Sequence, residues 1–241
     1  MSKQGWDGTW RGRSPASTPH TPARNIVRYT GAIVRGKFPS AKTGRMVGHE
    51  KLLELDAIYL FETAPQIERY VEQPEKISFP DGPRLRRYTP DFLLTFVGGR
   101  QLTVEVKPRV HLEEPDTWHR MQCVAAHMAR VGREFIVLTD EVIRQEPRLS
   151  NLKWIYHQAP RVGPTTAAAH AALRKVGHEL PVSIRRATAL LEPYQLSPFS
   201  LMLMGLLVCD LQQALTLDSV VRIDIEGGTH GELFAPRRSD L

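Results

Sequence analysis

The sequence predicts a mixed α/β domain followed by a smaller, mainly helical module, and three observations carry that reading. First, a helix-like stretch, His49 to Thr63, precedes two short apolar strands within Tyr88 to Arg109, YTPDFLLTFVGGRQLTVEVKPR, joined by Gly98-Gly99. Second, another helix-like stretch, Asp116 to Val131, leads into a buried strand over Glu134 to Leu138. Third, the run Ala159 to Pro164, APRVGP, has the composition of a linker. The expected division is an arm over 1–48, a core over 49–158, a linker over 159–164 and a second domain over 165–241.

Composition bounds the functional classes. Charged residues at 24% and hydrophobic residues at 41% are ordinary for a soluble globular chain, and 241 residues can hold one sizeable core plus an appendage. The net charge of +6 favours a polyanionic partner. Two cysteines, Cys123 and Cys209, each on a helix-like stretch, suggest reduced thiols rather than a disulfide framework. The longest apolar run, Phe199 to Cys209, is too short to span a bilayer, and the first residues lack a signal-peptide core. A cytoplasmic protein with no membrane partner is expected.

Residues 1–48 hold little hydrophobic periodicity and nine basic residues, including Lys42 and Arg45, against Asp7 alone. The arm therefore carries +8 and the rest of the chain −2. Residues 1–24, with Trp6 and Trp10 among Pro, Ser and Thr, are expected to be disordered until bound, and a strand or two is expected from Arg28 to Val47. The arm reads either as a DNA-backbone contact or as a solvated tail. In the helix that follows, Glu54 shares a face with Ala57, Ile58 and Phe61. A carboxylate buried there unpaired would cost several kcal/mol, so it should reach a metal, a cation or water. Glu50, one turn earlier, is its rival. Next, Gln66 to Phe79, through IERYVEQPEKISF, reads as a short helix or turn and then a strand, with Gln73-Pro74 at a bend. Arg84, Arg86 and Arg87 precede the hairpin, and Arg109 follows it. All four are candidate phosphate contacts, with solvation of a loop as the alternative.

The hairpin itself can be read in detail. Glu105 and Lys107, two apart, point to one face of a strand, with Leu102, Val104 and Val106 on the other. A two-residue Gly98-Gly99 loop would pair Phe92 with Glu105 and set apolar beside polar side chains. A three-residue loop, Val97 to Gly99, pairs Phe92 with Val104 and Leu94 with Leu102. That register buries one apolar face and places Asp91 opposite Glu105. Two carboxylates about 4 Å apart repel by roughly 4 kcal/mol at an effective dielectric near 20, so they need a cation. Oxygen-only ligands suit Mg²⁺ or Mn²⁺. Lys107 beside them would orient water or stabilise charge on a phosphate. A surface hairpin with a salt bridge is the bland alternative.

In the second helix, Trp118, Met121, Val124 or Ala125, and Met128 fall at helical spacing, and Gly132 ends it. His111, His119 and His127 share no HxH or HExxH spacing and give no zinc site. Thr139-Asp140-Glu141 is an N-cap signal, and Asn151 to His157 reads as a further strand. Past the linker, Ala167–Val176, Ser183–Leu191 and Pro198–Leu215 look helical, the last with Ser197 as N-cap and Pro198 at the first helical position. Ser219 to Ile225 and His230 to Phe234, around Gly227-Gly228, read as a hairpin. Three helices and a hairpin suggest a winged helix. The third helix holds no Lys or Arg, which makes it a poor DNA-reading helix; its Met-Leu stripe suits a core or a docking surface.

Pro90-Asp91 followed by Glu105-Val106-Lys107 on the next strand resembles the PD-(D/E)xK nuclease signature. Through AKTGRMVGHEKLLELD, YVEQP, RRYTPDFLL, VEVKP, FIVLTDE and LKWIY, from about Lys42 to Tyr156, the chain is similar to TnsA-type transposon endonucleases. The resemblance implies a restriction-endonuclease-like core and a C-terminal winged-helix-like domain. It implies metal-dependent cutting of the non-transferred strand at the 5′ ends of a mobile element, with Asp91, Glu105 and Glu54 holding the metal and Lys107 assisting. The partners it implies are double-stranded transposon-end DNA, a TnsB-like DDE transposase and a TnsC-like AAA+ regulator. A stand-alone restriction or repair nuclease and a catalytically silent assembly subunit are the alternatives; intact Glu54, Asp91, Glu105 and Lys107 argue against the silent one.

Overall fold

A computed structural model describes residues 20–23 and 35–224. They form two compact units. The first takes in the described residues up to Glu62 together with Ile67–Arg144; the second takes in Thr63–Gln66 and the residues from Gln145 onward. Most of the basic arm, and the second half of the expected C-terminal hairpin, lie outside the described residues.

In the first unit, strands β1 (Gly36–Ser40) and β2 (Arg45–His49) form an antiparallel hairpin whose turn holds Gly44 at φ 63°. Helix α1 (Leu52–Thr63) follows and ends ahead of Ala64-Pro65, as expected. Strands β3 (Ile67–Glu72), β4 (Ile77–Asp81), β5 (Arg84–Tyr88), β6 (Phe92–Phe96) and β7 (Gln101–Val106) come next. The IERYVEQPEKISF stretch is thus two strands, broken at Gln73, which adopts φ 43°. The arginines expected in a loop lie on β5, paired with β4 in a separate hairpin.

A short helix α2 (Arg109–Leu112) leads into α3 (Pro115–Arg130), then β8 (Phe135–Leu138) and the single-turn α4 (Asp140–Ile143). Gly132 takes φ 71° just past α3, a conformation that favours glycine. The main sheet has the order β3-β6-β7-β8, antiparallel except for the parallel β7–β8 pair reached through α3.

Two apolar layers fix this sheet. Phe92 and Leu94 of β6, paired with Val104 and Leu102 of β7, are fully buried. On that face, Phe61 of α1 packs its ring against Phe92 and Tyr70, at centroid distances of 5.2 and 5.8 Å. The other face carries Thr103 and Glu105, in register with Phe135 and Val137 of β8. A second core of Phe79, Leu112, Met121, Val124 and Met128, with Phe135 and Val137 packed against it, joins the β4–β5 hairpin to α3. Helix, three antiparallel strands, helix and parallel strand make a mixed α/β unit consistent with the restriction-endonuclease-like fold.

The second unit contains α5 (Arg148–Gln158), α6 (Thr166–Val176), β9 (Val182–Ser183), α7 (Ile184–Leu191), α8 (Pro198–Leu203), β10 (Leu207–Val208) and β11 (Val220–Ile223). Thr165, Ser183 and Ser197 cap α6, α7 and α8 by accepting from backbone N–H groups. A three-stranded antiparallel sheet has the order β10-β11-β9. Its core includes Ile155, Ala172, Ile184, Leu191, Leu201 and Val221, with Trp154 edge-on to Phe199 at 5.0 Å.

Three expectations change here. The LKWIY stretch is helical, because Leu149, Leu152 and Ile155 recur every three residues and are all buried. The helix expected over Pro198–Leu215 stops at Leu203; Gly205 at φ 73° turns the chain and the rest of the apolar run supplies β10. Finally, the division between units falls after Arg144, ahead of the expected linker, so α5 belongs with the second unit.

Candidate active site

The loop between β6 and β7 follows the three-residue register. Phe92 faces Val104, Leu94 faces Leu102, and the Phe96 N–H donates to the Arg100 carbonyl at 2.8 Å, closing Val97–Gly99 with both glycines at positive φ. One step beyond the last pair, Asp91 therefore stands opposite Glu105. The backbone fixes it twice. Asp91 Oδ2 accepts from the Val106 N–H at 2.8 Å, and its carbonyl accepts from the Gln73 N–H at 2.7 Å. The bend at Gln73-Pro74 thus has a positioning role that sequence reading left without a chemical purpose.

Glu105 is 5% exposed and holds two partners. Its Oε1 meets Lys107 Nζ at 2.7 Å, and its Oε2 accepts from the Tyr88 hydroxyl at 2.5 Å. Tyr88 is the residue that sequence reading missed. It ends β5, and nothing in the local pattern links it to a strand 17 residues later. Burial, then the Glu105 charge, pushes its phenol well above the ordinary tyrosine range.

Glu54 sits in the first turn of α1, 7% exposed, with Oε2 accepting from the Glu50 N–H at 2.7 Å. Burial raises its pKa above the ordinary glutamate value, against the opposing Glu50 hydrogen bond, and the Glu105 charge raises it further. Asp91 is pushed well above the usual carboxylate range, first by burial, then by Glu105 and then by Glu54; the Val106 N–H and Lys107 oppose the shift. The structure therefore brings Glu54, Asp91, Glu105 and Lys107 into one electrostatic neighbourhood. In it, the carboxylates of Glu54, Asp91 and Glu105, with Glu50 beside Glu54, meet the ammonium groups of Lys107 and Lys51. Of Glu54 and Glu50, it is the Glu54 charge that raises the Asp91 pKa.

An oxygen-rich, under-neutralised cluster of this kind fits a hard divalent cation. Each carboxylate is meanwhile tied to its own donor. Among the described residues, the group whose potential ligand atoms all lie within 4.8 Å of one another is a different one: Asp81, His119 and Cys123.

The expected phosphate contacts separate into two sets. Arg84, Arg86 and Arg87 on β5 and Arg109 beyond β7 are exposed, although Arg86 Nε is ion-paired with Asp81 Oδ2 at 2.6 Å. Arg45 and Lys42 are not available in this way. Arg45 is 6% exposed, with its guanidinium bonded to both oxygens of Glu72 and to the Met46 carbonyl. Lys42 Nζ donates to the Ile67 carbonyl at 2.7 Å, and burial lowers its pKa to about 8. Both tie the β1–β2 hairpin to β3, a structural role beside the DNA contact expected of them.

Among the described residues no helix is long and apolar enough to cross a membrane. No curated protein matches the chain. Residues 64–140 match the family described as TnsA-like endonuclease N terminal, a span that contains Asp91, Glu105 and Lys107 and begins after Glu54. That match supports a nuclease of the TnsA type.

Proposed function

We propose that this chain is the metal-dependent DNA endonuclease subunit of a heteromeric transposase, hydrolysing the non-transferred strand at the 5′ ends of a mobile element. The observation that carries the reading is the charge imbalance at the hairpin, where Glu54, Asp91 and Glu105 share one neighbourhood with Lys107. Those three carboxylates would hold Mg²⁺ or Mn²⁺. Such an ion, when bound, supplies a Lewis acid for the phosphate oxygens and a lower pKa for an attacking water.

The chain's own residues do the rest. The Val106 and Gln73 N–H groups keep Asp91 aimed from the strand end. The Tyr88 hydroxyl fixes one oxygen of Glu105 and leaves the other to Lys107. Once that oxygen is taken up elsewhere, the Lys107 ammonium is positioned to orient the water or to stabilise charge on the scissile phosphate. Arg84, Arg87 and Arg109, with Arg86 beside its Asp81 partner, are exposed guanidinium groups proposed to contact flanking phosphates. The second unit, with its helix, strand, two helices and two strands from α6 to β11, is proposed as a winged-helix-like domain that docks a partner protein or DNA. The proposed partners are a TnsB-like DDE transposase and a TnsC-like AAA+ regulator.

The test is cleavage of duplex DNA bearing the element's end, with Mg²⁺ and with the transposase and regulator added or withheld. Strand-specific 5′-end nicking that needs both the partners and Asp91 supports the proposal. Cutting of unrelated duplexes without partners would point to a stand-alone nuclease instead. No cleavage under any condition would leave an assembly subunit.

A further inference from the structure

We propose a second metal site in the first unit, at Asp81, His119 and Cys123, which takes a borderline divalent ion of the zinc class and clamps the β4–β5 hairpin to α3. It is separate from the acidic cluster and uses different chemistry. The histidine spacing alone gives no zinc pattern, because the third ligand comes from a hairpin and the second is a thiol. His119 and Cys123 are four apart on α3 and so share one helix face. Asp81, at the end of β4, faces them.

The distances support a shared ion. His119 Nε2 lies 2.7 Å from Asp81 Oδ1 and 3.5 Å from Cys123 Sγ, and Sγ lies 3.9 Å from Oδ1. Tetrahedral zinc, with Zn–S about 2.3 Å and Zn–N or Zn–O about 2.0 Å, separates its ligand atoms by roughly 3.3–3.6 Å. The S–N edge already has that length. Opening the N–O edge by about 0.6 Å and closing the S–O edge by about 0.4 Å would complete the face, within reach of side-chain torsions.

Two further features favour an ion over a plain surface ion pair. Arg86 Nε holds the other oxygen, Asp81 Oδ2, at 2.6 Å, which orients the carboxylate as an outer partner of a ligand does. Access is open, since the His119 side chain is 64% exposed. Imidazole and thiolate select zinc, cobalt or nickel over magnesium, so the two sites would not compete for one ion. Binding replaces the His119–Asp81 hydrogen bond with coordination and releases the Cys123 thiol proton to solvent. The clamp matters because β5 carries Arg84, Arg86 and Arg87 and ends at Tyr88, which bonds Glu105.

The experiment is a Co²⁺ titration of the full chain, purified with a reductant that does not chelate metals, in excess Mg²⁺ and followed by absorbance and by proton release. The expected result is a thiolate-to-cobalt charge-transfer band that saturates at one equivalent, with about one proton released per ion. Cys123→Ser should abolish the band and His119→Gln should weaken binding at least about 10-fold. Asp91→Asn should leave the band intact. His119→Gln alters an exposed group and Asp81→Asn a near-isosteric one, and both keep the thiol, so they read out the site even if Cys123→Ser fails to fold. No thiolate band at one equivalent, or a band that survives all three substitutions, overturns the proposal.

Discussion

Two clusters of buried charge in the first unit are balanced in opposite ways. Around the β1–β2 hairpin, Glu72 takes the Arg45 guanidinium on both oxygens and the Gly48 N–H at 3.2 Å. Glu62 accepts from the Ser40 hydroxyl, the Ala41 and Lys42 N–H groups and the Tyr70 hydroxyl, at 2.7, 2.8, 3.3 and 2.8 Å. Both oxygens of each of these two carboxylates therefore accept from at least one donor. Around the β6–β7 hairpin, three carboxylates share Lys107, Tyr88 and two backbone N–H groups, and burial raises the pKa of both Asp91 and Glu54. The first cluster ties down a turn, whereas in the second burial and mutual repulsion work against the charged forms of Asp91 and Glu54. Buried acids rich in donors suit a structural role, and buried acids that repel one another are the ones the proposed reading gives to a cation.

The largest effect should come from breaking the second cluster. Asp91→Asn and Glu105→Gln should each lower metal-dependent cleavage by more than about 10³-fold, and Lys107→Ala by about 10²–10³-fold, with far-ultraviolet circular dichroism unchanged. Glu54→Gln should fall with the first pair and Glu50→Gln should be milder. The reverse ranking, read in a cleavage assay, would assign the helix ligand to the wrong turn.

The first cluster should respond in stability instead. Arg45→Ala leaves Glu72 buried without its cation and should cost about 3–5 kcal/mol in denaturant unfolding. The double substitution Arg45→Met, Glu72→Leu should recover most of that loss, because removing both charges of a buried pair is nearly neutral. Neither change should alter the salt dependence of DNA binding. A smaller effect is expected from Arg87→Ala on exposed β5, which should flatten the slope of log affinity against log salt by about 0.9 while leaving stability within about 0.5 kcal/mol.

Much of the second cluster was legible in the sequence because it is local. Alternation along FLLTF and QLTVEV admits one loop length that buries a consistent face, and that register sets Asp91 opposite Glu105. Glu54 could be placed on the helix face of Ala57, Ile58 and Phe61 by period alone. The first cluster was not legible, since Arg45 and Glu72 are 27 residues apart and their pairing follows from tertiary packing. A basic residue in a basic arm reads as a phosphate contact until its partner is seen. Tyr88 and Asp81 escaped for the same reason. The apolar runs in LKWIY and around Leu203–Val208 defeated periodicity because short runs fit strand and helix alike, and Gly205 decided the second case.

Acidity offers a gentler test of the comparison. The folded-state pKa values of Glu54 and Asp91 lie above the ordinary 4.5 and 3.8. Over the range between ordinary and raised values the native state binds more protons than the unfolded chain. The contribution of these two groups to metal-free stability is therefore greatest at low pH and falls as pH rises above about 4 through the raised values. Denaturant unfolding at several pH values should show this decline in the wild type and a shallower one in Asp91→Asn.

The most direct measurement is thermal unfolding of wild type and Asp91→Asn at pH 7, each with EDTA and with Mg²⁺. If the acidic cluster holds charge that awaits a cation, metal-free Asp91→Asn should be more stable than metal-free wild type by about 1 kcal/mol, while being inactive. Mg²⁺ should then raise the wild type and leave the variant almost unmoved. A variant that melts below wild type in EDTA, together with a wild type indifferent to Mg²⁺, would contradict the account.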